Sequence, residues 1–573
     1  MTGFALPSSP AAFAKATWAD IAPHYEELAE RAFAPGTMES WLRDWSTLEE
    51  LLTEAAALAM IAYTIDTGNA EKEADHLRFS TEVLPLAEEK SVGLAKRLVA
   101  SGYSRPDLST TIQRFRTAID IFREANVPLF AEVEQHCATY QRITGSMTAE
   151  WDGRQLPLPQ LLPFLKSSDR AIRERAWRAS TTPYLIQRDA MASLFDTMFE
   201  LRQRAARNAG FANFRDYVFP AKFRFDYTPA DCERFHDAVE RTVVPAVERL
   251  LGHRRQRLGL DVLRPWDLQV DPYRDEPLRP FGTADELVAK ARGVFARVSP
   301  DLGAEFQTMI DNRLLDLESR KGKAPGGYCE TLQYQGRPFI FMNAVGLVDD
   351  VNTLLHEAGH AFHAFAAHPQ PFIWQRHAGS EAAELASMSM ELLAAPHLVD
   401  PTGFFSPEEA RSAAIEHLED ILVALAHIAS VDAFQHWIYT STDGADGAAR
   451  DRAWLRIRAR FERGVDWDGL ANERIARWYR QLHVFLYPFY YIEYGIAQLG
   501  ALQVWRNSLR DAGTAVSRYR SALALGATRT LPDIYRTAGA ALSFDASLMA
   551  DLVALVEERI EALRREMPSR NGR

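Results

Sequence analysis

Apolar residues recur every three or four positions along most of the chain, the period of a helix with one face buried. Leu51 to Ile65 reads as an Ala- and Leu-rich buried helix, opened by a capping box at Ser46-Thr47-Leu48-Glu49 and broken by Asp66-Thr67-Gly68-Asn69. The pattern resumes over Glu71 to Ala100, stops at Ser101-Gly102, and predicts a third long helix from Asp107 to Ile143, ended by Gly145. Between Met147 and Pro163 the pattern changes, and Asp152-Gly153 between short alternating runs predicts a hairpin. Helix is expected again from Ser168 to Gly210. Another follows Thr228, where Thr caps and Pro229 takes the first position, and a third follows a capping box at Thr283-Ala284-Asp285-Glu286. Leu263 to Tyr273, between these two, has strand-like content.

A second hairpin is predicted where Gly326 to Tyr334 meets Pro338 to Asn343 across a Gln335-Gly336 turn. Pro338 lacks an N–H and suits the start of an edge strand, along which an extended peptide can lie or which can simply support the next helix. Beyond it the pattern is helical to the end, over Glu381 to Pro396, Pro407 to Tyr439, Pro488 to Arg510 and Phe544 to Arg564. The expected fold class is therefore mostly α, with a small β-hairpin or sheet. The chain divides into an N-terminal helical domain, 1–195, and a second domain, 196–573, with the boundary inside a helix.

Composition narrows the functional classes. A net charge of -12, with no Lys/Arg block, argues against a nucleic-acid partner. Cys137, Cys232 and Cys329 lie far apart, which fits a reducing compartment and speaks against a disulfide framework. Met1 to Trp18 carries one basic residue, Lys15, and no continuous apolar core, so it does not read as a signal peptide. No apolar run approaches the roughly 20 residues of a membrane helix. A cytoplasmic location with no membrane partner is expected; nothing in the sequence bears on oligomeric state.

The chemistry concentrates in Leu354-Leu355-His356-Glu357-Ala358-Gly359-His360-Ala361-Phe362-His363. Residues four apart share a helix face, so His356 and His360 can aim at one ion. Glu357 then sits beside the metal and can take a proton from metal-bound water as general base. A catalytic zinc ion needs a third protein ligand. Glu381, Glu384 and Glu391 are candidates, with His377 and His397 weaker ones. Glu384 stands in the apolar run Ala383 to Met388, where a buried carboxylate asks for a cation; Glu381, on the same face, can orient a ligand histidine from behind. In His483 to Tyr494, five residues can present a donor to a developing oxyanion: His483, Tyr487, Tyr490, Tyr491 and Tyr494. Tyr490 reads more simply as core. Tyr491 and Tyr494, three apart, share a face.

Together these stretches resemble the M3 family of zinc metallopeptidases, the thimet oligopeptidase and oligoendopeptidase F group, and are closer to the latter. The resemblance rests on HExGHxxH at His356–His363, on Glu384 28 residues after His356 in a Glu-x-x-Ser setting, on Pro338–Asn343 and on His483–Tyr494. It is specific from about Arg320 to Trp505. It implies a two-part helical ellipsoid with a deep substrate channel and one zinc ion held by His356, His360 and Glu384. Glu357 would activate water, and His483, Tyr491 and Tyr494 would bind substrate and stabilise the intermediate. Substrate contacts are expected at Gly326, Gly327 and Tyr328, and at Phe341 and Tyr487. Pro488 stands where thimet-type members carry glycines. The implied activity is a zinc endopeptidase cutting short peptides. A zinc carboxypeptidase or peptidyl-dipeptidase with the same ligands is the near alternative, and a helical peptide-binding protein without chemistry the distant one.

Overall fold

A computed structural model describes residues 6–32, 36–274, 276–320, 322–324, 326–399 and 401–567, so the first five positions of Met1 to Trp18 lie outside the described residues. The mostly helical architecture expected from the apolar period is found, with two small sheets. The helix expected at Leu51 to Ile65, α1 (Met38–Ile65), starts well before the expected capping box, because Trp41, Leu42 and Trp45 extend its buried face backwards. Ser46 lies inside it, donating from Oγ to Glu50 Oε1 (2.9 Å) and accepting the Ile373 N–H (2.8 Å).

Three expected long helices are interrupted. The one from Asp107 to Ile143 divides into Ser109–Ile121 and Val127–Gly145, and the break falls just before Pro128, which has no N–H to continue the ladder. The run from Glu71 to Ala100 passes through a π-turn at Arg78–Val83, ahead of Pro85. That from Ser168 to Gly210 breaks at Gln187 into Arg170–Ile186 and α2 (Arg188–Asn208). The Asp152-Gly153 hairpin is present, pairing β1 (Thr148–Trp151) with β2 (Arg154–Pro157), and both turn residues have positive φ. Leu263 to Tyr273 is not a strand. It holds a 3-10 turn, Pro265–Asp267, fixed by Arg170 and Arg173 on the buried carboxylate of Asp267.

After α3 (Pro229–Arg257) comes the second sheet, β3 (Leu315–Glu318), β4 (Tyr328–Leu332) and β5 (Arg337–Ala344). The predicted hairpin is β4–β5, but β5 is the central strand, with β3 parallel on its other side. Pro338 is tolerated there because pairing with β3 begins at Ile340. The edge strands are β3 and β4, so β4 carries the open edge of the hairpin. The hairpin turn docks on α1, where buried Glu54 accepts the Gln335 backbone N–H at 2.9 Å.

Four helices frame the site: α4 (Val348–Ala367), α5 (Ser380–Ala394), α6 (Pro407–Thr440) and α7 (Tyr491–Ser508). Asp350 opens α4 by accepting the N–H groups of Leu347 (2.8 Å) and Val345 (2.9 Å). Contrary to the reading that no segment could span a membrane, α6 is long and apolar enough to do so. Its most apolar stretch is 72% buried within the protein, where it packs against α3 and α7 as a core helix.

Candidate metal centre

Gly359 sets the geometry of the centre. A Cβ at that position would lie 2.5 Å from Ser387 Cα and 2.7 Å from the Ala386 carbonyl oxygen, so only glycine lets α4 and α5 approach this closely. The approach carries Glu384, on α5, to the two histidines of α4. Glu384 Oε2 lies 3.3 Å from His356 Nε2 and 3.7 Å from His360 Nε2. One ligand atom from each residue falls within 4.8 Å of the others. Both imidazoles remain partly exposed while Glu384 is buried, so the centre opens to solvent on the histidine side. Of the candidate third ligands, Glu384 alone joins this group; His377 is exposed and accepts the Gly379 N–H at Nδ1.

The electrostatics favour positive charge here. Burial would raise the Glu384 carboxyl, but His360 and His356 hold it at about 2. Burial opposes protonation of His356, yet Glu384 and Glu391 drive its pKa well up. Burial takes the His360 imidazole down to about 4, so it is a neutral nitrogen donor. Two imidazoles and a carboxylate around a point that attracts cations fit a divalent metal, and the nitrogen-rich set suits zinc. Glu357 is buried alongside, and that burial raises its carboxyl to about 7. A Cβ on Gly327 would stand 3.7 Å from Glu357 Oε1, so the Gly326-Gly327 loop runs past the carboxylate. Asn343 Nδ2 ties that loop down through the Ala324 (2.8 Å) and Gly326 (2.9 Å) carbonyls.

The residue behind His356 is Glu391, not Glu381. Its Oε1 meets His356 Nδ1 at 2.7 Å and its Oε2 meets His417 Nε2 at 2.9 Å. Such a carboxylate fixes the tautomer that leaves Nε2 free for the ion. Glu381 is occupied elsewhere, accepting the Tyr227 hydroxyl at 2.6 Å. Glu391→Gln is therefore expected to weaken metal affinity by about 10- to 100-fold. Competition with a chromophoric chelator measures this; unchanged affinity would remove Glu391 from the centre. His363 is buried one turn beyond His360, and burial lowers its imidazole to about 3.

The tyrosine-rich segment folds differently from its reading as a helix from Pro488. Phe489 adopts φ 64°, held by Gln435 Oε1 on its N–H (2.6 Å) and by Arg224 on its carbonyl, and α7 begins at Tyr491. This turn sends Tyr490 to the centre, where its hydroxyl donates to Glu384 Oε1 at 2.8 Å. Tyr491, expected there, donates instead to Gln481 Oε1 at 3.0 Å and packs edge-on against His427. Tyr494 meets His483 Nε2 at 3.4 Å. Burial, then the carboxylates of Glu384, Glu493 and Glu357, push the Tyr494 phenol well above its ordinary range, so it stays a donor. Burial lowers His483 to about 4, so its ring is neutral. Glu391, a candidate third ligand in the sequence, instead holds His356 from behind, and Tyr490, which read more simply as core, instead bonds the ligand carboxylate. Glu391 repeats the face of Glu384 seven residues on, a signal the sequence does contain.

The expected substrate contacts divide. Tyr487 is 53% exposed and free to meet a ligand. Tyr328 is half-buried, its hydroxyl 2.6 Å from Thr64 Oγ1 of α1. Phe341 is corrected: its ring is fully buried, stacked on Tyr328 at 4.8 Å, because both faces of β5 are covered.

A profile of peptidase family M3 matches residues 164–553. Among curated proteins, the chain is 23% identical to oligopeptidase PepF of Bacillus subtilis over 397 residues, 67% of this chain and 56% of that protein. It is 26% identical to the group B oligopeptidase PepB of Streptococcus agalactiae over 220 residues, 37% of this chain and 34% of that one. The chain thus spans about half or less of the length of these relatives. Solved structures match along nearly their whole length. PZ peptidase A with an inhibitor has TM-score 0.88 at 27% identity, over 95% of this chain and 96% of that one. A protein described as an oligoendopeptidase F has TM-score 0.89 at 28% identity, over 96% and 97%.

Proposed function

The chain belongs to peptidase family M3, and on that premise we propose that it is a zinc-dependent endopeptidase cutting internal bonds of short, unstructured peptides. The observation that carries this reading is the meeting of His356, His360 and Glu384 around one point, with Glu357 buried beside them. When bound by these three residues, zinc supplies Lewis acidity toward the scissile carbonyl and makes water more acidic.

The remaining steps belong to side chains of this protein. Glu357 takes the proton of the attacking water on its carboxylate and delivers it to the leaving amine. Tyr494, a neutral phenol near both Glu357 and Glu384, donates to the oxyanion that develops as the carbonyl is attacked. His483 positions the Tyr494 hydroxyl. Tyr490 fixes the ligand carboxylate of Glu384. Gly327, without a side chain, lets a peptide backbone come close to Glu357. The outer edge of β4 offers backbone groups to an extended substrate, in the manner of an added strand. Three unpaired cysteines fit our assignment to the cytoplasm.

Peptides of about ten residues with free and with amidated C-termini test the reading, with products identified by mass spectrometry. Internal cuts at the same bonds in both series are expected. Release of terminal residues alone, abolished by amidation, would make the protein a carboxypeptidase or peptidyl-dipeptidase instead.

A further inference from the structure

Away from this centre, two helices each contribute a pair of metal-binding side chains at the four-residue spacing that puts both on one face. On α3 they are Cys232 and His236; on α6 they are Asp432 and His436. All four are buried, at 5% exposure or less. Ligand atoms of Cys232, Asp432 and His436 lie within 4.8 Å of one another. A tetrahedral zinc ion with one sulfur ligand holds its donors about 3.3–3.6 Å apart, a small closure from this arrangement.

The hydrogen bonding within the cluster points to a cation. His236 Nε2 bonds Asp432 Oδ2 at 2.8 Å, which orients the carboxylate and leaves its other oxygen. That oxygen, Oδ1, is buried and has no hydrogen-bond partner among the described residues; of the His436 nitrogens Nδ1 has none, and Nε2 lies 3.4 Å from Asp432 Oδ2, off hydrogen-bond geometry. Orphaned acceptors at this depth are costly unless something satisfies them. Cys232 is a free thiol on the same side.

We propose that Cys232, Asp432 and His436, with His236 behind Asp432 or as a fourth ligand, form a second, structural zinc site buried between α3 and α6. One thiolate and one carboxylate balance a divalent ion, so the occupied site is neutral, as its depth and the neighbouring Arg224 require. The mixed sulfur, nitrogen and oxygen set suits zinc. The site is closed, so the ion enters as the chain folds. It also backs the turn that aims the tyrosines: the Phe489 ring meets the His436 ring at 5.4 Å, and the adjacent Gln435 holds the Phe489 N–H.

Cobalt tests this, because a thiolate ligand gives Co(II) a near-ultraviolet charge-transfer band that the His356–His360–Glu384 set cannot produce. Full-length protein is made in zinc-depleted, cobalt-supplemented medium, and cobalt content and absorption are read together. Two cobalt ions per chain and a thiolate band are expected. His360→Ala keeps the band and one ion. Cys232→Ser loses the band and one ion. If Cys232→Ser does not fold, the Cys137→Ser/Cys329→Ser double variant isolates Cys232 and retains the band. Folded wild-type protein with cobalt bound and no thiolate band would overturn the proposal, as would a band lost in the double variant. Either result leaves the peptidase reading standing, since that rests on the other centre.

Discussion

Glu357→Gln is expected to retain the full metal content of the wild type while kcat falls by about 10²- to 10⁴-fold, the range over which a positioned general base acts. The substitution keeps the volume of a buried side chain beside two ligands, so folding and metal binding are undisturbed. It removes a carboxylate buried next to the ligand set that neither belongs to that set nor, as Glu391 does, holds one of its histidines. KM should change little, because the amide still fills the space along the Gly327 loop. Metal analysis and peptide kinetics on the same preparation decide the matter. Turnover close to wild type, or loss of the metal, would take the base role away from Glu357.

Tyr494→Phe is expected to lower kcat by about 10²- to 10³-fold, the usual effect of deleting one oxyanion donor. Tyr491→Phe should leave catalysis near the wild-type rate. The contrast follows from where the two hydroxyls point. Tyr494 lies against His483 and the carboxylates of Glu384 and Glu357. Tyr491 is bound to Gln481, which also meets His427, itself held by Arg458. Loss of the Tyr491 hydroxyl therefore costs a hydrogen bond to Gln481 rather than a donor to the oxyanion. Parallel kinetics on the two variants give the answer, and the reverse order of effects would reassign the donor.

The spacing of His356 and His360 and the buried setting of Glu384 were legible in the chain, because both follow from helix geometry and the cost of burying charge. The aim of the tyrosines was not. Their direction depends on the positive φ of Phe489, which Gln435 and Arg224 impose from distant parts of the chain. A helix drawn from Pro488 puts Tyr491 where Tyr490 belongs. The hairpin was visible as alternating residues around Gln335-Gly336, but its place in the sheet was not, since β3 joins it from upstream. That parallel partner makes β5 central and leaves the hairpin's open edge on β4. Breaks at Gln187 and before Pro128 escaped the periodicity because the apolar face continues across them. The Cys232, His236, Asp432 and His436 cluster escaped it as well: each pair is unremarkable on its own helix, and α3 and α6 come together only in the folded chain.

The most direct test of the central claim is hydrolysis of an internally quenched peptide of about ten residues, with 1,10-phenanthroline and then zinc added back. Internal cleavage that disappears with the chelator and returns with zinc is the predicted result. Cleavage indifferent to the chelator, or none at all by zinc-loaded protein, would contradict it.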